Sequence, residues 1–359
     1  MTASQPSSTV LPPPSESIGA LRWLRQNLFS SWYSALLTLV AIWLIYSIAV
    51  PTLRWVFSEA RWGVITANFR LLMVGQYPAI RASADFPTDQ IWRIYACLVL
   101  LVVFIALSFF GRYDKTIRRI ANIAWITYIP LIIFIVAGFT YKDGILPTVP
   151  STMWGGLLLT LLLTAVGIMV SFPLGILLAL GRRSNLPVIR WFCTAYIELI
   201  RGVPLITVLF MANLMLPLFL PANWAPTSIV RAMAGVSLFS AAYVAENVRG
   251  GLQAINKGQF EAASALGMNY VQSLRFIILP QALKLVVPIL VGQFIGLFKD
   301  TSLVAIVGLF DFLGIGNSIK AQPEFVGTSK EVYLFIAAVY WVLSWLLARY
   351  VKRYEIKQH

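Results

Sequence analysis

Apolar residues fall in long blocks along this chain, each broken by a short polar or proline-containing stretch. A helix needs about 20 such residues to cross roughly 30 Å of hydrocarbon. Eight blocks approach or exceed that length: 32–50, 91–110, 121–140, 153–180, 188–218, 229–248, 283–298 and 333–350. Two are longer than one perpendicular crossing. The 153–180 block makes a helix of about 42 Å at 1.5 Å per residue, so it has to tilt or protrude. The 188–218 block contains Glu198, Arg201, Gly202 and Pro204, and it divides into a short amphipathic helix followed by the crossing proper. The pattern predicts an all-α polytopic membrane protein with about eight transmembrane helices. Ahead of the blocks, residues 1–29 open with Ser, Pro and Thr and read as a disordered tail without the apolar segment of a secretory signal. Between the first two blocks, Trp55, Trp62, Ile65, Phe69 and Leu72 recur at helical spacing. They predict a helix lying in the outer membrane interface within the segment 51–90.

Composition sharpens this picture. Of 359 residues, 59% are hydrophobic and 12% charged, with a mean hydropathy of +0.78. A soluble domain carries roughly twice that charge, so a soluble enzyme is excluded. The 28 basic and 14 acidic residues leave a net charge of +14, which in a soluble protein would suggest nucleic acid. Here the charge is topological. Arg112, Lys115, Arg118 and Arg119 crowd one connection, Arg182 and Arg183 another, and Arg349, Lys352, Arg353 and Lys357 the C-terminal end. With eight crossings these clusters share a face with both termini, and the positive-inside rule makes that face cytoplasmic. No nucleic-acid partner is expected.

Candidate chemistry is sparse. The single histidine is His359, so no catalytic residue or metal ligand is expected in a span. Cys97 and Cys193 both lie in apolar runs and read as packed thiols. No Gly-Lys dipeptide occurs, so the chain has no phosphate-binding loop of its own, and no cofactor bound by this chain is expected.

The polar stretch 249–281 is the most informative. It contains Glu261-Ala262-Ala263-Ser264-Ala265-Leu266-Gly267 and then Ile277-Ile278-Leu279-Pro280. The alanines keep a short helix thin enough for another body to approach. Glu261 is placed near the start of that helix, where its dipole favours an acid, and Gly267 can end it in a left-handed cap. A second helix, about 270–278, is expected to stop at Pro280, with the seventh span beyond. The full string resembles the signature of permease subunits of binding-protein-dependent (type I) ABC importers. Three further runs resemble the polar, general L-amino-acid branch: Ala242-Tyr243-Val244-Ala245-Glu246-Asn247-Val248-Arg249-Gly250, Tyr196-Ile197-Glu198-Leu199-Ile200-Arg201-Gly202-Val203-Pro204, and Lys299-Asp300-Thr301-Ser302-Leu303. The three additional N-terminal spans are similar to the long form of that branch.

Composition changes along the chain near Pro150 and gives a domain plan: a tail at 1–29, a three-span extension at 30–150, a segment of five spans at 151–350, which the resemblance makes the permease domain, and a basic cytoplasmic tail at 351–359. The resemblance implies a bacterial inner-membrane subunit that forms half of an amino-acid translocation pathway as a heterodimer with a second permease. Two ATP-binding subunits would use ATP and Mg and grip the 256–280 loop through Glu261, Ala262, Ala263, Gly267, Ile277, Leu279 and Pro280. An extracytoplasmic amino-acid-binding protein would deliver the solute.

Charges inside spans are costly and therefore informative. Glu198 with Arg201, and Glu246 with Arg249, are three residues apart and can pair on one helix face, as bracing ion pairs or as parts of the pathway. Lys299, Asp300, Thr301 and Ser302 stand at the outer end of the seventh span. They form a chemically matched set for an amino-acid zwitterion, or else a helix end whose charges snorkel to the interface. An ion-coupled secondary amino-acid transporter is the alternative function, but it calls for two repeated halves with paired acids at the midplane, and no such repeat is visible. A lipid-modifying enzyme would need clustered catalytic groups that the spans lack.

Overall fold

The computed structural model describes residues 20–77, 89–111, 114–139, 146–221, 224 and 226–355. Residues 1–19 of the tail, Arg112, Lys357 and His359 lie outside the described residues.

The chain divides into two compact units at Arg61/Trp62. The first contains α1 (Ala20–Asn27) and α2 (Trp32–Arg54), the latter running into a π-turn at Trp55–Glu59. Helix α1 lies inside the stretch expected to be a disordered tail. Ser31 starts α2 by accepting the Ser34 amide at 3.3 Å. Trp32, Leu37, Trp43, Ile45 and Ile48 are all exposed along it, as an all-round apolar span requires.

The second unit begins with α3 (Gly63–Ala67) and α4 (Phe69–Val74). These correct the expected interfacial helix. The 51–90 segment is not one helix, and Ile65 and Leu72 are buried against Phe312, Ile315, Ile319, Val332 and Ile336. Helical spacing of apolar residues cannot distinguish a lipid face from a protein face, and here protein covers it. Helix α5 (Trp92–Phe110) and α6 (Lys115–Ala137) follow. Asp114 caps α6 by accepting the amides of Thr116 and Ile117, which holds its carboxyl below the usual range. Helix α6 bends by 46° between Trp125 and Thr127. Pro130, four residues on, removes the bond to the Ile126 carbonyl and crowds it.

Arg93 is fully buried. It donates to Pro147 O at 2.8 Å and Ile135 O at 3.3 Å, while Tyr77 Oη donates to Val136 O at 2.7 Å. These donors satisfy carbonyls at the C-terminal end of α6 and in the segment after it. The same region supplies Tyr77, Cys97, Val136 and Val149 to a core shared with Trp154, Leu159, Leu163, Leu205 and Val236. No gap between cores falls at the expected boundary near Pro150.

The remaining helices are α7 (Gly156–Arg182), α8 (Pro187–Gly202), α9 (Leu205–Phe210), α10 (Leu216–Phe219), α11 (Ser228–Ala254), α12 (Lys257–Ala265), α13 (Tyr270–Ser273), α14 (Leu279–Asp300), α15 (Phe312–Lys320) and α16 (Ser329–Glu355). Helix α16 carries on into the stretch read as a basic tail. A π-turn, Met211–Met215, joins α9 to α10, and another, Leu274–Ile278, joins α13 to α14. The pair α8 and α9–α10 is bent by 108°, because Val203 is extended ahead of Pro204. Six described helices are long and apolar enough to span a membrane, and eight if each bent pair counts as one span.

Helices α7, α11 and α14 pack closely where side chains are absent. A Cβ at Gly175 would stand 2.5 Å from Val244 Cγ1, and one at Gly251 would stand 2.6 Å from Val286 Cγ1. A second core lies toward the α7 C-terminal end, with Leu178, Ile197, Ala241, Val244, Val248, Ile278 and Ala282. Cys97 and Cys193 are buried free thiols.

Asp311 caps α15 from a fully buried position, accepting Gly314 N at 2.9 Å and Leu313 N at 3.3 Å. Burial pushes its carboxyl up to about 7, against the opposing pull of the two amides. A folded value above the unfolded one favours the folded state at low pH. That stability is fully present below about 4 and is lost as pH rises through 7. The detergent-solubilised protein is therefore expected to unfold at lower temperature at pH 8 than at pH 5, by on the order of 3 kcal/mol of stability. Asp311→Asn keeps a capping oxygen and is expected to flatten the dependence, as read by thermal unfolding against pH. An unchanged slope in that variant would assign the effect elsewhere.

Candidate functional site at the α7 C-terminal end

Helix α12 is built to present one face outward. Asn256 caps it by accepting the Gly258 amide at 2.8 Å. Ala263 is fully buried, and Phe260, one turn earlier, packs on the core that holds Ile278 and Ala282. Glu261, Ala262, Ser264 and Ala265 are exposed, and Leu266 is 76% exposed. Glu261 lies beyond the first turn, so the helix dipole does little for it, contrary to the expectation above. Its carboxylate faces outward instead.

Gly267 ends the helix with φ +75°. Its amide donates to Ser264 O at 3.0 Å, and Met268 N donates to Ala263 O at 3.1 Å. This pair of bonds is a Schellman cap, which favours a glycine at the left-handed residue. The chain then re-enters a helix at once. Asn269 accepts Gln272 N at 2.9 Å, and Gln272 Oε1 accepts Asn269 N at 3.0 Å, a reciprocal capping box.

The second half of the motif differs from expectation. Pro280 does not stop a helix. It occupies the first turn of α14, and the helical run is continuous from Tyr270 through Val307. Within that continuous run the proline lacks the amide an α-helix would use, so the ladder has to shift around it. The strain appears one turn earlier, as the π-turn in which Leu279 N reaches Leu274 O. Ile277 and Leu279 are half-buried against the bundle core, and Pro280 is exposed.

At the same end of the bundle, five charged side chains from three helices converge. Glu246 on α11 holds Arg249 in a two-pronged bond, at 2.6 Å to Nη2 and 2.9 Å to Nε. It also meets Arg182 of α7 at 3.5 Å and Arg201 of α8 at 3.7 Å. The expected pairing of Glu246 with Arg249 is therefore present. The expected pairing of Glu198 with Arg201 is not. Glu198 turns to Arg182 at 2.8 Å, and the Arg201 guanidinium sits 5.7 Å from the centre of the Tyr243 ring. Cross-helix charge attraction outcompetes the i,i+3 pairing on one face. The sequence does not single out Arg182 as a partner, because beside Arg183 it signals only topology.

A neutral knot lies close by. Gln293 of α14 donates to Ser240 O and Oγ at 3.1 and 3.2 Å, and accepts from Asn247 Nδ2 at 2.6 Å. These bonds tie α11 to α14 one residue from Glu246.

The Lys299–Ser302 group does not converge. Lys299 and Asp300 are exposed, whereas Thr301 is fully buried. Thr301 Oγ1 donates to Phe298 O at 2.7 Å and Ser302 Oγ to Lys299 O at 2.8 Å. Both hydroxyls thus satisfy carbonyls of their own helix, leaving the two charges to face outward.

Residues 171–355 match the family described as binding-protein-dependent transport system inner membrane component. The inner membrane amino-acid ABC transporter permease protein YhdY of Escherichia coli K12 is 43% identical over 353 residues, which cover 94% of this chain and 92% of that protein. The glutamate/glutamine/aspartate/asparagine transport system permease protein BztC of Rhodobacter capsulatus is 34% identical over 428 residues, covering 96% and 95%. A solved amino acid ABC transporter, described as being with histidines, aligns with a TM-score of 0.51 at 31% identity. That alignment covers 56% of this chain and 92% of that one.

Proposed function

We propose, from the premise that this chain belongs to the family of binding-protein-dependent transport system inner membrane components, that it is the permease subunit of an ATP-driven amino-acid importer. It is a multi-pass inner-membrane transport subunit rather than an enzyme, and ATP with Mg is used by a partner ATPase. One observation carries the mechanism: α12 is a short helix with half-buried Phe260 and buried Ala263 on one side and exposed Glu261, Ala262 and Leu266 on the other. It is stopped by the Schellman cap at Gly267. That shape fits a groove on an ATPase, with Glu261, Ala262, Ala263 and Gly267 defining the docking helix. Ile277, Leu279 and Pro280 form its support.

In this reading the α12 end is cytoplasmic, together with both termini. Two ATP-binding subunits sit there, one under this chain and one under a second, non-identical permease. A binding protein on the other face delivers the amino acid. The hub at Glu246 braces α7, α8 and α11 near the docking helix. Lys299 and Asp300, exposed on α14, face the pathway shared with the second permease, where a zwitterion offers each of them an opposite charge.

The experiment is co-expression with a second permease, an ATPase and an amino-acid-binding protein of the same system, followed by uptake of radiolabelled L-amino acids into proteoliposomes. Uptake is expected only when ATP and all partners are present. Uptake driven by a proton or sodium gradient in vesicles of this chain alone would instead establish the ion-coupled alternative.

A further inference from the structure

A side-chain bridge joins α12 to the root of α14. Gln259 on α12 and Gln281 on α14 meet side chain to side chain. Gln281 Nε2 donates to Gln259 Oε1 at 3.1 Å and to Ile277 O at 2.9 Å. Both hydrogens of one carboxamide are engaged, one along the helix and one across to α12. The carbonyl it takes belongs to the π-turn, Leu274–Ile278.

The covalent path from α12 to α14 passes through the left-handed Gly267 and that π-turn. Both are places where a helical chain bends. The apolar contact of Phe260 with the bundle core sets how closely α12 lies but is non-directional, so α12 could roll about it. A hydrogen bond is directional and fixes that roll.

We infer that Gln281 is a positioning residue for transport: through Gln259 it locks the docking helix to the root of α14. A push received on the Glu261–Gly267 face is then passed to the span bearing Gln293, Lys299 and Asp300. Without the bridge, the push is absorbed at Gly267 and the π-turn. The inference rests on the reading of α12 as the ATPase-docking helix.

The test uses the complete reconstituted importer and a mixture of radiolabelled L-amino acids, and reads amino acid moved per ATP hydrolysed. Gln281→Leu and Gln259→Leu preserve bulk and are each expected to lower that ratio about fivefold, the factor carried by one neutral hydrogen bond. ATPase co-purification and basal hydrolysis are expected to stay at wild-type levels. The double variant Gln259→Glu with Gln281→Lys replaces the bridge by an ion pair and is expected to restore the ratio, while either charged single stays low. A purely structural role would instead lower the yield and thermal midpoint of the leucine variants, which are expected to stay at wild-type values. Unchanged ratios in both leucine variants, or a double variant no better than its singles, overturn the inference while leaving the docking reading intact. Normal uptake and ATPase capture by Gly267→Asp would overturn both.

Discussion

Gly267→Asp is expected to yield a protein that inserts and purifies normally and supports no measurable uptake in the assembled importer. A Cβ at this position meets nothing within 4 Å, so the change is sterically free within the chain. Its internal cost is the left-handed backbone, about 1–2 kcal/mol for a residue with a side chain, and aspartate is among the residues that tolerate this region best. The bundle is therefore retained. On the proposed docking role, what changes is the face that α12 would offer to an ATPase, which gains a second carboxylate near Glu261. A central position of a docking interface commonly carries about 2 kcal/mol or more, roughly 30-fold in affinity. Uptake, ATPase capture on affinity resin and thermal unfolding measured on one preparation separate these effects. Wild-type uptake by the variant would remove α12 from the coupling role.

The second large effect is at Glu246. Its carboxylate faces Arg182, Arg201 and Arg249 and is 22% exposed, whereas Glu198 is 57% exposed with one arginine partner. Glu246→Ala leaves the Arg201 and Arg249 guanidinium groups without a carboxylate, beside an Arg182 that keeps Glu198. Removing one partner of a fully buried pair costs about 3–5 kcal/mol, and partial exposure reduces the expected loss to about 2 kcal/mol. Glu198→Ala is expected to cost at most about 1 kcal/mol, as exposed pairs do. Thermal midpoints in detergent should thus fall clearly for Glu246→Ala and barely for Glu198→Ala. Equal losses would show that the cluster has no hub. The same variant is expected to reduce uptake, because α11 leads directly into α12.

Much of this architecture is legible in the residues. Apolar block lengths give the spans because hydrocarbon thickness sets a length and little else. Pro204 announces the break after α8, since the residue before a proline is held in extended conformation. Gly267 announces the cap, because the left-handed position strongly favours glycine. The failures have physical causes of equal clarity. Pro280 looks like a stop, but the π-turn at Leu274–Ile278 shifts the hydrogen-bond ladder and lets the helical run pass through it. Ile65 and Leu72 display a helical stripe whose covering partner, α15 and α16, arrives more than 200 residues later. Local spacing pairs Glu198 with Arg201, yet Arg182 reaches it from another helix. Thr301 and Ser302 look like ligand groups until their own helix carbonyls claim them.

The core that joins Tyr77, Cys97, Val136 and Val149 to Trp154, Leu159, Leu163 and Val236 has a consequence for biosynthesis. Domains generally complete themselves as the ribosome delivers them, N-terminal part first. Here the early helices α5 and α6 enter the bilayer with an apolar face whose counterpart, on α7, α9 and α11, is still untranslated. They have to wait in the membrane as unfinished pieces, with Arg93 seated against the end of α6 only after Pro147 has emerged. A nascent chain arrested near residue 150 therefore holds only the first part of the second unit, with the apolar faces of α5 and α6 still uncovered.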